Sequence, residues 1–327
     1  MKAFVYERYG GPEVLELRDV DKPVPDPEQL LVRVRASSVN ALEWHAVTGR
    51  PSLVRLAGGL RKPKQVALGT DFAGTVEAVG GNVTYFEPGD EVFGARTGAY
   101  AEYVCVRADR GVVKKPANIT FEQAAAVPVA GITALEGLRD KGGLQAGWKV
   151  LVNGASGGVG TFAVQIAKAL GAEVTAVCST ANVETTGRIG ADRVIDYTRE
   201  DFTRDRDRYR LLLDVSGTRS WFDCRRVLTD DGTCVVVGSP DNGFWLGPLK
   251  HSAGMAISAI GSRQKVVNLF ATITPESLQT LRGMLESGKV KPVIDRSYPL
   301  SRLPEALAYL GEGHARGKVV VTVPVED

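Results

Sequence analysis

Lys149-Val150-Leu151-Val152-Asn153-Gly154-Ala155-Ser156-Gly157-Gly158-Val159-Gly160 is the segment that decides the fold. Val150 to Val152 is a short apolar run, as expected of a strand buried on both faces of a parallel sheet. Glycines follow at once. Beyond them Val159, Phe162, Ala163, Ile166, Ala167 and Leu170 recur at helical spacing, and Gly171 stands where a helix ends. Glu173 to Cys178 then predicts a second strand. Strand, glycine turn, helix and strand together make a βαβ opening with a loop suited to phosphate.

Each glycine has a physical role. Gly157 lets backbone approach a pyrophosphate, and Gly160 lets the helix lie close on the strand. The open N–H groups of the first helical turn and the helix dipole then favour an anion. The pattern is A-x-G-x-x-G, with Ala155 in the place of the first glycine of G-x-G-x-x-G. A glycine pattern alone is weak evidence, but the flanking strand and amphipathic helix are its confirming context. The reading is a dinucleotide site at Ala155, Ser156, Gly157, Gly158 and Val159.

An NAD site usually carries Asp or Glu about 20 residues past the glycines, at the tip of the second strand. Here that tip reads Val177-Cys178-Ser179-Thr180-Ala181-Asn182. It offers hydroxyls and an amide and no carboxylate to repel a 2′-phosphate, which favours NADP(H). No cation stands at the tip itself; Arg188 and Arg193 are the nearest in sequence. A second reading makes Ser179 or Thr180 a helix N-cap.

The rest of the chain divides around this segment. Its 327 residues suit two domains. Residues before about 120 form short β segments broken by Gly and Pro, such as Leu30 to Ala36, Gly74 to Val79, Glu91 to Gly94 and Ala101 to Val106, with a turn at Pro88-Gly89-Asp90. This predicts an antiparallel, barrel-like domain. From Val150 strands and helices alternate, which predicts a doubly wound parallel sheet. Val319 to Val323 is β-branched and is expected to rejoin the first domain. The expected boundaries are 1–122, 123–289 and 290–327.

Composition excludes several classes. A net charge of +2 points to neither nucleic acid nor a membrane surface. Cys105, Cys178, Cys224 and Cys234 form no C-x-x-C, so they are expected as reduced thiols of a cytoplasmic protein. Met1 to Tyr6 opens directly as a strand, with no signal peptide expected. The longest apolar stretch, Phe244 to Ile260, is interrupted by Pro248, Lys250 and His251 and is not a membrane span.

Further motifs carry a resemblance: Ser37-Ser38-Val39-Asn40, Gly69-Thr70-Asp71-Phe72-Ala73-Gly74, Pro88 to Gly94, Ala130-Gly131-Ile132-Thr133-Ala134, the glycine loop, and Gly313-His314-Ala315-Arg316-Gly317-Lys318. With them the chain resembles the medium-chain dehydrogenase/reductase superfamily, most closely its zinc-free quinone oxidoreductase and enoyl reductase branch. The resemblance implies an α/β fold: a Rossmann domain plus a GroES-like, partly open β-barrel catalytic domain. Zinc-dependent relatives place a Cys near Val39 and a His-Glu pair after Gly69. Here those positions hold Asn40 and Thr70-Asp71, and neither Asn nor Thr is a normal zinc ligand.

The resemblance further implies hydride transfer from NADPH to a quinone or to the β-carbon of an α,β-unsaturated carbonyl. Asn40 matches the branch's active-site Asn. His45 stands where related reductases often carry a Tyr, which makes it a candidate proton donor; its plainer reading is a packed or surface imidazole. Thr133, Tyr197 and Lys318 match cofactor-contacting positions, and Gly238-Ser239 ends the fifth strand where the nicotinamide is expected. The plainer reading of Lys318 is a surface lysine. A homodimer is expected, with Phe244-Trp245-Leu246-Gly247-Pro248-Leu249 as its apolar patch or as part of the substrate mouth. Two rivals are a zinc-free alcohol dehydrogenase and an NADP-binding protein without turnover.

Overall fold

The computed structural model describes residues 1–324 apart from 53, 239–253, 256 and 260. Ser239 and the apolar segment Phe244 to Leu249 therefore lie outside the described residues. Two compact units result, one of residues 1–132, 273–288 and 292–327, the other of 133–272 and 289–291.

The first unit opens with a hairpin of β1 (Lys2–Val5) and β2 (Glu16–Asp19). Its main sheet uses β3 (Gln29–Val39), β4 (Asp71–Val79), β5 (Glu91–Ala95), β6 (Tyr103–Arg107) and β7 (Val112–Lys114). All of these pair antiparallel, and β6 also pairs with β3. Alternation along β3 turns Leu30, Val32 and Val34 into a core shared with Phe72, Val92 and Tyr100.

The second unit is a parallel sheet of β8 (Lys149–Asn153), β9 (Glu173–Cys178), β10 (Arg193–Asp196), β11 (Tyr209–Asp214), β12 (Leu228–Val236) and β13 (Lys265–Asn268). Their order is β10-β9-β8-β11-β12-β13, the doubly wound arrangement expected from the alternating pattern. Val150, Leu151 and Val152 of β8 are fully buried, as a central strand covered on both faces requires.

The chain then returns. β14 (Ile294–Pro299) pairs parallel with β15 (Lys318–Thr322), and β15 pairs antiparallel with β3. The C-terminal strand thus completes the first unit's sheet, as its β-branched run predicts.

The domain limits differ from the expected ones. The first unit extends to Ile132 and includes the helix Pro275–Glu286, both expected in the nucleotide-binding part. Packing explains it. Leu281 of that helix is set close against Gly131, and Asn118 Nδ2 donates to the Leu285 carbonyl at 3.0 Å. Residues 289–291 belong instead to the second unit, where Gln165 and Lys291 exchange hydrogen bonds of 2.8 and 3.0 Å. The cysteines are free thiols, three of them buried. Among the described residues no helix is long and apolar enough to cross a membrane.

Candidate active site

Sheet register assembles a polar cluster in the first unit. Ser38 lies opposite Asp71 across β3 and β4, and Val39 lies opposite Val319 across β3 and β15. One end of three adjacent strands therefore collects Ser38, Asn40, Asp71 and Lys318. Asp71 is fully buried, Lys318 is 3% exposed and Asn40 8% exposed. Lys318 is thus no surface lysine.

The hydrogen bonds define the cluster. Lys318 Nζ donates to Asn40 Oδ1 and stands 3.4 Å from Asp71 Oδ2. Asp71 Oδ2 accepts from Ser38 Oγ at 2.6 Å and from Asn40 Nδ2 at 3.0 Å, and Asp71 Oδ1 accepts from the Val129 N–H at 2.9 Å. Tyr100 Oη donates to the Ser38 carbonyl at 3.1 Å, and burial pushes its phenol well above the usual range. A carboxylate with this many donors is satisfied even in a dry site.

Glu43 lies beside them, on the helix Ala41–Thr48. Its Oε2 accepts the Asn40 N–H at 2.8 Å, the reach-back of a capping box, and its Oε1 is buried. Burial first, and then the Asp71 charge, push Glu43 up to about 7. In the sequence Ser38 and Asp71 stand out only as parts of motifs, and Glu43 and Tyr100 do not stand out at all. The spacing of Glu43 three residues after Asn40 was the available signal.

His45 does not join the cluster. Its Nδ1 donates to the Arg50 carbonyl at 2.7 Å, and it sits half-exposed two residues past Glu43. Two helical residues are about 200° apart around the axis, so His45 and Glu43 face nearly opposite ways.

The second unit holds the glycine loop. The helix Gly158–Ala169 has Gly157 as its N-cap, with no side-chain cap on its first turn. A Cβ on Gly157 would meet nothing nearer than the Gly154 carbonyl at 3.9 Å. Protein packing therefore does not require glycine there, which fits a cradle left clear for a ligand. Gly160 is the opposite case, since a Cβ would fall 2.1 Å from the Gly154 carbonyl. Ala155 is fully buried, and Ser156 Oγ accepts from Asn182 Nδ2 at 3.2 Å. Asn182 also donates to Ser179 Oγ at 3.0 Å and so ties the loop to the second-strand tip. Ser179 is an N-cap by backbone geometry, but its side chain caps no N–H.

The expectation of a tip without a carboxylate needs correction. Asp196, the last residue of β10, lies opposite Cys178, the last residue of β9. It accepts from Thr180 Oγ1 at 2.6 Å and from Thr198 N and Oγ1 at 3.0 and 2.8 Å, with Arg199 Nε at 3.4 Å. The Thr180 bond is the largest influence holding its carboxyl below the usual range. Parallel strands in register end on one edge, so a third-strand residue reached a site that sequence reasoning assigned to the second strand alone.

Thr133 is half-buried on the helix Pro128–Leu135, and Tyr197 is 55% exposed just past β10. Gly238 follows β12, and a Cβ there would meet the Val215 carbonyl at 2.0 Å, so packing alone demands glycine.

The alcohol dehydrogenase GroES-like domain family matches residues 26–117, and the zinc-binding dehydrogenase family matches residues 189–321. The mouse mitochondrial NAD(P)H oxidoreductase RTN4IP1 is 34% identical, over 99% of this chain and 89% of its own length. The chain belongs to the medium-chain dehydrogenase/reductase superfamily. Within that superfamily, the 2-methylene-furan-3-one reductase of Solanum lycopersicum is 34% identical over 98% of this chain and 79% of its own. The Escherichia coli quinone oxidoreductase complexed with NADPH superposes with a TM-score of 0.84 at 27% identity, covering 98% of this chain and 100% of that one. This medium-chain dehydrogenase/reductase is an oxidoreductase with a nicotinamide cofactor and a small-molecule substrate.

Zinc does not fit the residues present in the cluster. A zinc site needs thiolate, imidazole or carboxylate ligands. Asn40 Oδ1 is taken by the Lys318 ammonium, and Asp71 is already matched by that cation. Among the described residues no group of three or more His, Cys, Asp or Glu is placed to hold a metal ion.

Proposed function

We propose that this protein is a zinc-independent reductase that prefers NADPH and reduces quinones or the C=C bond of α,β-unsaturated carbonyls. The observation that carries the reading is the cation at the centre of the buried cluster. It is a lysine ammonium bonded to an active-site amide, in place of a set of metal ligands.

NADPH, when bound, supplies the hydride, and its pyrophosphate suits the uncapped helix at Gly157. Reduction of an enone adds a hydride, a proton with two electrons, to the β-carbon and leaves negative charge on the carbonyl oxygen. Asn40 Nδ2 is the hydrogen-bond donor for that oxygen. A proton from solvent then reaches the α-carbon. His45 is the weaker candidate for this proton, because it is half-exposed and lies outside the buried cluster.

The cofactor preference rests on Ser179 and Asn182 and on the way Asp196 is occupied. Its carboxylate is taken by two threonines and Arg199, so it does not stand open to ribose hydroxyls. Without a charged clamp the preference is modest, about 1–2 kcal/mol or roughly 5–30-fold in kcat/KM.

A panel of enones, quinones and enoyl thioesters, followed by NADPH absorbance with and without chelator, tests the proposal. Consumption of NADPH with at least one class, unchanged by chelator, is expected. Tight NADPH binding without turnover overturns it in favour of a binding protein. Equal or better use of NADH overturns the cofactor preference alone.

A further inference from the structure

The Asn40 amide is bonded on both sides, and the chemistry of its neighbours fixes which way it points. An ammonium has only donors, so the atom facing Lys318 Nζ is the carbonyl oxygen. A carboxylate has only acceptors, so the atom facing Asp71 Oδ2 is the amide nitrogen, at 3.0 Å. Nδ2 carries two hydrogens. One goes to Asp71, and the other has no partner among the described residues. The three residues are graded in accessibility, with Asp71 and Lys318 more deeply buried than Asn40. Asn40 is thus the outlet of the network.

We propose that Lys318 and Asp71 are positioning residues that act through Asn40. They hold its amide in one orientation and polarise it, so that the remaining Nδ2–H is aimed and strengthened toward an oxygen that gains negative charge. This rests on the reductase reading above. Lys318 draws electron density toward Oδ1, which makes the N–H groups better donors in a buried, low-dielectric site. Asp71 blocks the flipped amide, because flipping would set Oδ1 against a carboxylate. Ser38 Oγ and the Val129 N–H fix Asp71 in turn, at 2.6 and 2.9 Å. The roles differ from direct cofactor contact by Lys318. A cofactor ligand changes cofactor affinity, whereas an amide-orienting residue changes turnover at saturating cofactor.

The test uses the full-length protein. Lys318→Met leaves Asp71 buried without its cation, so the neutral pair Lys318→Met/Asp71→Asn is made beside it to preserve the fold. Lys318→Arg restores a cationic donor. NADPH affinity is read by fluorescence titration, and kcat and acceptor KM are measured at saturating NADPH. The side-chain amide of Asn40 is followed by 15N–1H NMR, assigned by its loss in Asn40→Asp.

At least tenfold loss of kcat in the neutral pair is expected, of the kind seen when an oxyanion donor is weakened, about 10²-fold for full removal. NADPH affinity should stay within about twofold, which marks a role outside cofactor binding. Lys318→Arg should recover most of the kcat. The Asn40 amide should shift between wild type and the neutral pair. Two results overturn the proposal: a loss of NADPH affinity that accounts for the whole loss of kcat/KM, or an Asn40 amide with the same shifts in both proteins. Wild type without turnover on any acceptor instead overturns the reductase reading, and the NMR result still decides whether Lys318 and Asp71 hold the amide.

Discussion

The glycine loop and the buried cluster hold their residues in opposite ways. The loop is one continuous run from Asn153 to Gly160, shaped by backbone and by the start of a helix. The cluster draws on three strand ends, with Lys318 bonded to a residue 278 positions away. The loop keeps Gly157 where protein packing makes no demand, whereas the cluster has buried charges whose partners are all needed. A substitution at the loop's tip should therefore cost binding and little stability. A substitution in the cluster should cost stability before anything else.

The largest expected effect tests the second half of that contrast. Asp71→Leu strands the Lys318 ammonium and the Ser38 and Val129 donors. It should destabilise the protein by about 3–5 kcal/mol, the cost of breaking a buried pair by removing one partner. Urea unfolding measures it, and a loss under about 1 kcal/mol would show that the cluster is not held by charge.

The next concerns Glu43. Its folded-state value is raised from 4.5 to about 7, so the folded protein binds this proton more tightly than the unfolded chain. Its favourable contribution is complete below about pH 4.5 and is lost as pH rises through 7, a change of about 3 kcal/mol by linkage. Glu43→Gln keeps an acceptor for the Asn40 N–H and removes the titration. Relative to wild type it should therefore gain stability as pH rises from 5 to 8. Parallel stability curves for the two proteins across that range would refute the assignment.

Gly157→Ala is the loop's counterpart. A methyl group in open space should leave stability within about 0.5 kcal/mol, as at ordinary surface sites. It should weaken NADPH by roughly tenfold, or about 1.4 kcal/mol, because it intrudes where the pyrophosphate approaches. Equilibrium titration and thermal melts check the pair of outcomes. Destabilisation without loss of affinity would reverse the comparison.

The smallest effect belongs to His45. Since it is half-exposed and stands outside the cluster, His45→Phe should change kcat by less than about tenfold, below the range of general acid catalysis. A loss of 10²-fold or more, with a limb missing from the pH profile of kcat, would make it the proton donor after all.

Local and periodic features were legible in the sequence. Val150 to Val152, the glycines and the helical repeat after them encode a βαβ unit within some thirty residues, because hydrogen bonding and side-chain period are properties of neighbours. The return of Val319 to Val323 was legible from its β-branched run. The domain limits were not, since the helix Pro275–Glu286 has the same amphipathic pattern whichever sheet it covers. Tertiary structure alone decided the chemistry of the cluster. Register sets Ser38 against Asp71 and Val39 against Val319, and so brings Lys318 to Asn40. It also sets Asp196 beside Cys178 and into reach of Thr180. Pairing between strands is a relation between distant segments, and no spacing within either segment records it.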